Sequence, residues 1–190
     1  MRTILANQIA DLGARPAVVT IDGFSGAGKT VLGEWLAREL TSRGPAHHAT
    51  LLEVELWAHG WQDLAGGVSR VSDVVRTLRS GPARTSTWNW WTEEEEAPIV
   101  LEPRPIILVV GCGAGQIPVD LSIWIDSDET LRADRVSARD PYDWSEHWAL
   151  WARQEHALLD RYDARAHATY RLISDDQGLR LSQPGSIRFA

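Results

Sequence analysis

Residues 18–40 read VVTIDGFSGAGKTVLGEWLAREL, and three local signals meet in them. The run AVVTID at 17–22 is short, apolar and β-branched, and it ends at a glycine, as a buried strand does. From Lys29 to about Thr41 the apolar residues fall at 31, 32, 35, 36 and 40, which is helical spacing, and RGP at 43–45 stops that helix. Between strand and helix, GFSGAGKT (23–30) satisfies the pattern G-x-x-x-x-G-K-[ST]. Its glycines let successive backbone N–H groups curl inward around a polyphosphate, and the helix N-terminus adds partial positive charge. This reading makes Gly23, Ser25, Gly26, Ala27, Gly28, Lys29 and Thr30 the nucleotide-binding residues. Lys29 reaches the β- and γ-phosphates of ATP, and the Thr30 hydroxyl ligates Mg²⁺.

Outward from this loop, TLLEVEL (50–56) reads as a second strand, so 17–56 form a βαβ unit. Residues 68–79 have helical periodicity and end at SGP. A tryptophan-rich segment, TSTWNWWTEEEEAPIVLEP, reads as a hairpin or flap over about 81–104, with Glu93–Glu96 as a solvated turn. PIILVV (105–110) is a third strand, and the GCGAG that follows is a strand-end loop beside the phosphates. VDLSIWID (119–126) is a fourth strand. Helical patterns follow at about 128–138 and 144–161, then a last strand near ATYRLI (168–173). The first residues, MRTILANQIADLGARP, read as an amphipathic helix. Strands alternating with helices predict one α/β domain over 1–190, a parallel sheet covered on both faces.

Composition narrows the function. With 190 residues and a net charge of −7, the chain lacks the basic balance of a nucleic-acid binder. Cys112 is the single cysteine, which excludes an internal disulfide and fits a reducing cytoplasm. Apolar runs stop short of the roughly 18 residues a membrane span needs, and Asn7, Gln8 and Asp11 stand where a signal peptide would be apolar. A cytoplasmic protein without a membrane partner is the expectation. Lys29 is the only lysine in the chain, so no N-K-x-D base-reading motif exists and an ordinary switch GTPase is excluded. An ATPase motor needs more chain. A small-molecule kinase fits better.

Several segments in order resemble the uridine kinase-like branch of the P-loop nucleoside kinases, in the form found among actinobacterial uridine kinase or ATP-binding protein sequences. They are IDGFSGAGKT, GWQDLAGGV (60–68), WNWW (88–91), LRADRVSARD (131–140) and HWALWARQE (147–155). The resemblance spans roughly 17–173. It implies a three-layer P-loop fold with a five-stranded parallel sheet in the order 2-3-1-4-5, a helical lid over about 128–143, and ATP and Mg²⁺ as cofactors. It also implies transfer of the γ-phosphate to a hydroxyl acceptor such as a nucleoside.

Residue roles follow from that resemblance and from kinase chemistry. Arg132, Arg135 and Arg139 lie at i, i+3 and i+7 on one helix face, where Arg135 and Arg139 would clamp the transferring phosphoryl group; the plainer reading is a solvated face paired with Asp134 or Asp140. A carboxylate near the end of the second strand would orient the acceptor and take its proton. Glu53 and Glu55, two apart and so on one strand face, both qualify, and Glu55 is preferred. Trp57, Trp61, Trp88, Asn89 and Trp90 would build the acceptor pocket, with Trp88 and Trp90 sharing a strand face. The family closes its third strand with V-V-E-G, and its glutamate, which helps to hold Mg²⁺, is replaced here by Val110; Asp22 and Asp126 are the candidate substitutes. Two other readings stay open, a nucleotide-binding protein with degraded catalysis and a regulatory role, and a kinase for a non-nucleoside metabolite. The sequence allows a homo-oligomer without specifying one.

Overall fold

A computed structural model describes residues 1–139 and 145–182. In chain order the elements are α1 (Arg2–Ala10), β1 (Ala17–Asp22), α2 (Lys29–Ser42), β2 (Ala49–Glu53), α3 (Leu64–Leu78), β3 (Ala83–Thr85), β4 (Trp88–Asn89), β5 (Glu94–Glu95) and β6 (Ile99–Leu101). They continue as β7 (Ile106–Val110), β8 (Leu121–Asp126), α4 (Glu129–Arg139), α5 (Ser145–Arg161), the short α6 (Ala164–His167), β9 (Tyr170–Asp175) and β10 (Gly178–Leu181).

The central sheet runs β2-β7-β1-β8-β9-β10. Its first five members are parallel and reproduce the order 2-3-1-4-5, counted as strands of the main sheet. A sixth strand was not foreseen: β10 pairs antiparallel with β9 at the edge. The turn joining them leads into Gly178 at φ +103, and Arg180 pairs across it with Asp175. The segment is too polar to read as a buried strand, and an edge hairpin does not need to be one.

Alternation along the strands builds two cores. Val19, Ile21, Leu108 and Val110 point to one face, where Leu5 and Ile9 of α1 and Leu32, Leu36 and Leu40 of α2 cover them. Val18, Leu52, Ile107 and Val109 point to the other, under α3 and α5. Every residue of β1 and β7 is buried, as a central parallel strand requires. The result is three layers, helix–sheet–helix.

Local departures from the sequence reading have physical causes. The second strand ends at Glu53, and Val54–Trp57 form a 3-10 turn instead of a strand. Val54 and Trp57, three apart, share the buried side, which a period of three satisfies and a period of two does not. Helix α3 begins at Leu64 rather than near 68, because the glycines of its first turn allow close approach: a Cβ at Gly67 would lie 3.0 Å from the Ala58 backbone nitrogen. The flap is two nested ribbons, β3 with β6 and β4 with β5, and Glu93–Glu96 is exposed at its tip. The arginine-bearing segment expected as a lid is helical over α4; the rest of it, including Asp140, lies outside the described residues.

Candidate functional site

The C-terminal ends of β1 and β2 open onto a cavity of about 640 Å³. Its floor is the loop between β1 and α2, through Ser25, Gly26, Gly28, Lys29 and Thr30. Gly26 and Gly28 have φ +80 and +96, which disfavours side chains at both, and a Cβ at Gly26 would also lie 2.4 Å from the Arg132 carbonyl oxygen. No side chain caps the N-terminus of α2, so its first N–H groups are available to an anion. Gly23 and Ala27 shape the loop from behind, away from the cavity lining: the Ala27 N–H bonds to the Phe24 carbonyl at 3.1 Å.

The loop is held from several elements. Ser25 donates both its N–H and its hydroxyl to Glu155 of α5, at 2.7 and 2.8 Å. The Ser25 carbonyl accepts from Arg132 of α4 at 3.0 Å. Lys29, 6% exposed, donates to the Phe24 carbonyl at 3.1 Å and to the Cys112 sulfur at 3.2 Å. Burial opposes the lysine charge, but the hydrogen bond to the Cys112 sulfur and the carboxylates of Glu55 and Glu155 more than offset it and hold its pKa above the ordinary value. Burial, reinforced by Glu155, pushes the Cys112 thiol well up, so it is a neutral S–H that donates to Glu155 at 2.9 Å.

Carboxylates gather beyond Thr30. Glu34, Glu53 and Glu55 all line the cavity. Burial raises the Glu53 pKa, and Glu55 and Glu34 add to it; Arg139 and the Thr30 hydroxyl act in the opposite direction. Glu55 lies in the 3-10 turn rather than on a strand face with Glu53 and accepts the Cys112 N–H at 3.1 Å. Of the substitutes considered for a metal carboxylate, Asp22 is closed off: it accepts the N–H groups of Gly23, Gly113 and Gly115 at 2.6, 2.9 and 2.8 Å. Burial raises its pKa to about 6 despite those bonds and Lys29. Asp126 is likewise committed, to Arg171 and the Trp124 N–H. Glu53, the register neighbour of Val110 in the sheet, is the carboxylate beside Thr30.

Helix α4 gives its arginines different surroundings. Arg135 and Arg139 line the cavity, and Arg135 bonds to the Ser174 hydroxyl at 3.0 Å and the Gly26 carbonyl at 3.4 Å. Arg132 is buried and structural, its guanidinium over the Phe24 ring at 5.1 Å.

Among the aromatic residues only Trp61 and Trp90 of the expected set line the cavity, joined by Trp151. Trp57, Trp88 and Asn89 do not. Trp57 is buried, with its N–H on the Thr85 hydroxyl at 2.8 Å. Trp88 stacks on His59 at 5.0 Å, and β4 is too short for Trp88 and Trp90 to share its face. Asn89 closes its own turn, accepting the N–H groups of Trp91 and Thr92 and donating to Glu96. Sequence reasoning missed Trp151, Cys112 and Glu155 as parts of the site. Only the W-x-x-W-x-x-x-E pattern of α5 carried a signal for two of them.

No family model matches the chain, and no curated protein matches its sequence. Solved structures do share its fold. A possible uridine kinase from Bacillus stearothermophilus superposes with a TM-score of 0.63 at 18% identity, over 90% of this chain and 96% of that one. A candidate fructose transport system kinase from Silicibacter sp. TM1040 superposes with a TM-score of 0.58 at 16% identity, over 87% and 94%. The chain thus has the α/β fold of uridine kinase-like P-loop proteins.

Proposed function

We propose that this protein is an ATP-dependent kinase for a small hydroxyl-bearing acceptor. One observation carries the reading: the cavity that begins at an uncapped phosphate loop continues past Thr30 to Glu53, Glu55 and a tryptophan wall, leaving room for a second molecule beside the nucleotide. A passive nucleotide holder has no need of that room.

In this reading the α2 N-terminus and Lys29 bind the triphosphate. Thr30 and Glu53 hold Mg²⁺, which neutralises charge on the phosphates when bound. Their oxygens suit a hard cation that keeps phosphate and water among its ligands. Glu55 orients the acceptor hydroxyl and takes its proton as the acceptor oxygen bonds to the γ-phosphorus and the bond to the ADP oxygen breaks. Arg135 and Arg139 stabilise the charge spread over the transferring group. The acceptor lies against Trp61, Trp90 and Trp151.

A second reading, nucleotide binding without transfer, is favoured by Val110, which puts an apolar side chain at the end of β7. ADP release from Mg·ATP separates the two. The kinase reading expects release stimulated by an alcohol from a panel of nucleosides, sugars and amino alcohols, and abolished by Lys29→Ala. ATP binding with no stimulation by any acceptor would leave the binder.

A further inference from the structure

The far end of the cavity has an unusual set of groups. Beyond the phosphate loop, its described lining offers the carboxylates of Glu53 and Glu55, the indoles of Trp61, Trp90 and Trp151, and the apolar Leu56. Among the described residues there, no amide or hydroxyl side chain faces the space, and Asn89, the one amide the sequence offered for it, is used in its own turn. A nucleobase edge needs donors and acceptors in a fixed pattern. This wall supplies carboxylate acceptors, indole rings and the buried Trp151 N–H, which meets no acceptor among the described residues.

The charges are also divided. Lys29, Arg135 and Arg139 belong to the loop and the lid; Lys29 feels Glu55 and Arg139 feels Glu53 in the free site, and a triphosphate would neutralise these cations and release both carboxylates from them. Glu53 lies beside Thr30. Glu55 accepts one backbone N–H through Oε1, and its other oxygen meets no donor among the described residues. Next to it, the Trp90 indole N–H donates to the Glu55 carbonyl at 3.0 Å, which fixes the ring to the same corner as that carboxylate. Trp61 meets Trp90 and Trp151 edge-on at 4.9 and 5.9 Å, and His147 stacks on it at 4.2 Å, so the wall is one packed aromatic cluster. Aromatic faces beside a carboxylate favour a cation, through the ring quadrupole and through opposite charge.

We infer that the acceptor is an alcohol carrying a cationic nitrogen, an amino alcohol or amino sugar, with its hydroxyl at Glu55 and its cationic end against Trp61 and Trp90. This rests on the kinase reading and names its substrate class. The hydroxyl and the ammonium supply donors to its carboxylates and a positive charge to its indoles.

Matched pairs test it: choline against 3,3-dimethyl-1-butanol, glucosamine against glucose, and 2-aminoethanol against ethylene glycol. Each is assayed for ADP release from Mg·ATP and for quenching of tryptophan fluorescence. The cationic member of at least one pair should stimulate release with a kcat/KM roughly tenfold above its neutral twin, the scale of one desolvated cation–π contact. Trp90→Leu should erase that preference, while Trp90→Phe, which keeps a ring in the flap, should retain part of it. Equal or better stimulation by the neutral members would overturn the inference and leave the kinase reading standing. Stimulation by a nucleoside alone would do the same. Neither release nor quenching with any cationic member would also overturn it, and the wider acceptor panel then decides separately whether the chain is a kinase at all.

Discussion

Burying an ammonium is costly, and at Lys29 the offset comes from the Phe24 carbonyl, Cys112 and the field of Glu55 and Glu155. Its two acceptors, a carbonyl and a sulfur at 3.1 and 3.2 Å, suit a compact point charge and not the geometry of a planar fork. Lys29→Arg, conservative in charge, should therefore lower kcat/KM by about 100-fold or more; near-normal ADP release from the variant would contradict this. Asp22 gives a second residue-level expectation. Its folded-state pKa of about 6 lies above the ordinary 3.8, so the folded chain keeps this proton to higher pH than the unfolded chain does. The group's contribution to stability is greatest below about pH 4, declines as pH rises to about 6, and is level above that, a total of about 3 kcal/mol. A ¹³C carboxyl titration should place the Asp22 midpoint near 6; a midpoint near 4 would refute the burial argument. Lys29 and Thr30 were legible because neighbours in sequence create their chemistry. Trp151, Cys112 and Glu155 were not, since Cys112 and Glu155 meet the loop, and Trp151 meets Trp61, only after 80 or more intervening residues have folded, and no local spacing records that.

Among the elements, α4 divides its arginines between two tasks. Arg132 ties the Ser25 carbonyl and covers Phe24, so Arg132→Ala should cost about 1–3 kcal/mol in urea unfolding. Arg135 lines the cavity, so Arg135→Ala should lower kcat by about 10- to 100-fold, with a smaller change in the unfolding midpoint. If the two variants exchanged these effects, the assignment of roles along the helix would be wrong. The i, i+3, i+7 spacing predicts one shared face, and that much holds; it does not say which arginine packs and which faces the cavity. Most elements could be read because strand and helix periods are local. The end of β2 could not, because the inward turn of Trp57 is set by α3 and the Thr85 hydroxyl. The flap's aromatic residues went the same way: Trp88 and Asn89 look exposed and available in a sequence, yet His59 and the turn amides engage them.

At the scale of the molecule, the phosphate loop is a junction. Glu155 from α5, Arg132 from α4 and Cys112 from the loop after β7 all bond to it or to its lysine. A ligand on this loop is therefore read by both helical layers and by the sheet between them, and it should stabilise the whole chain, not one loop. At a hundred times its Kd, a nucleotide that binds only the folded state adds about 2.7 kcal/mol. For a chain of this size each kcal/mol raises Tm by about 2–4 °C, so a non-hydrolysable Mg·ATP analogue should raise Tm by about 5–11 °C. Lys29→Ala should abolish that shift while changing the Tm of the free protein far less. Omitting Mg²⁺ should reduce it, and Glu53→Gln should blunt the Mg²⁺ dependence without removing nucleotide binding, because Glu53 adjoins Thr30 and not the loop amides. A full shift in the absence of Mg²⁺, or one unchanged by Glu53→Gln, would remove Glu53 from the metal site and return the question to Val110. No shift at saturating analogue would mean that Lys29 stays with Cys112 and Phe24, and that the loop's internal bonds outcompete the phosphates they resemble a site for.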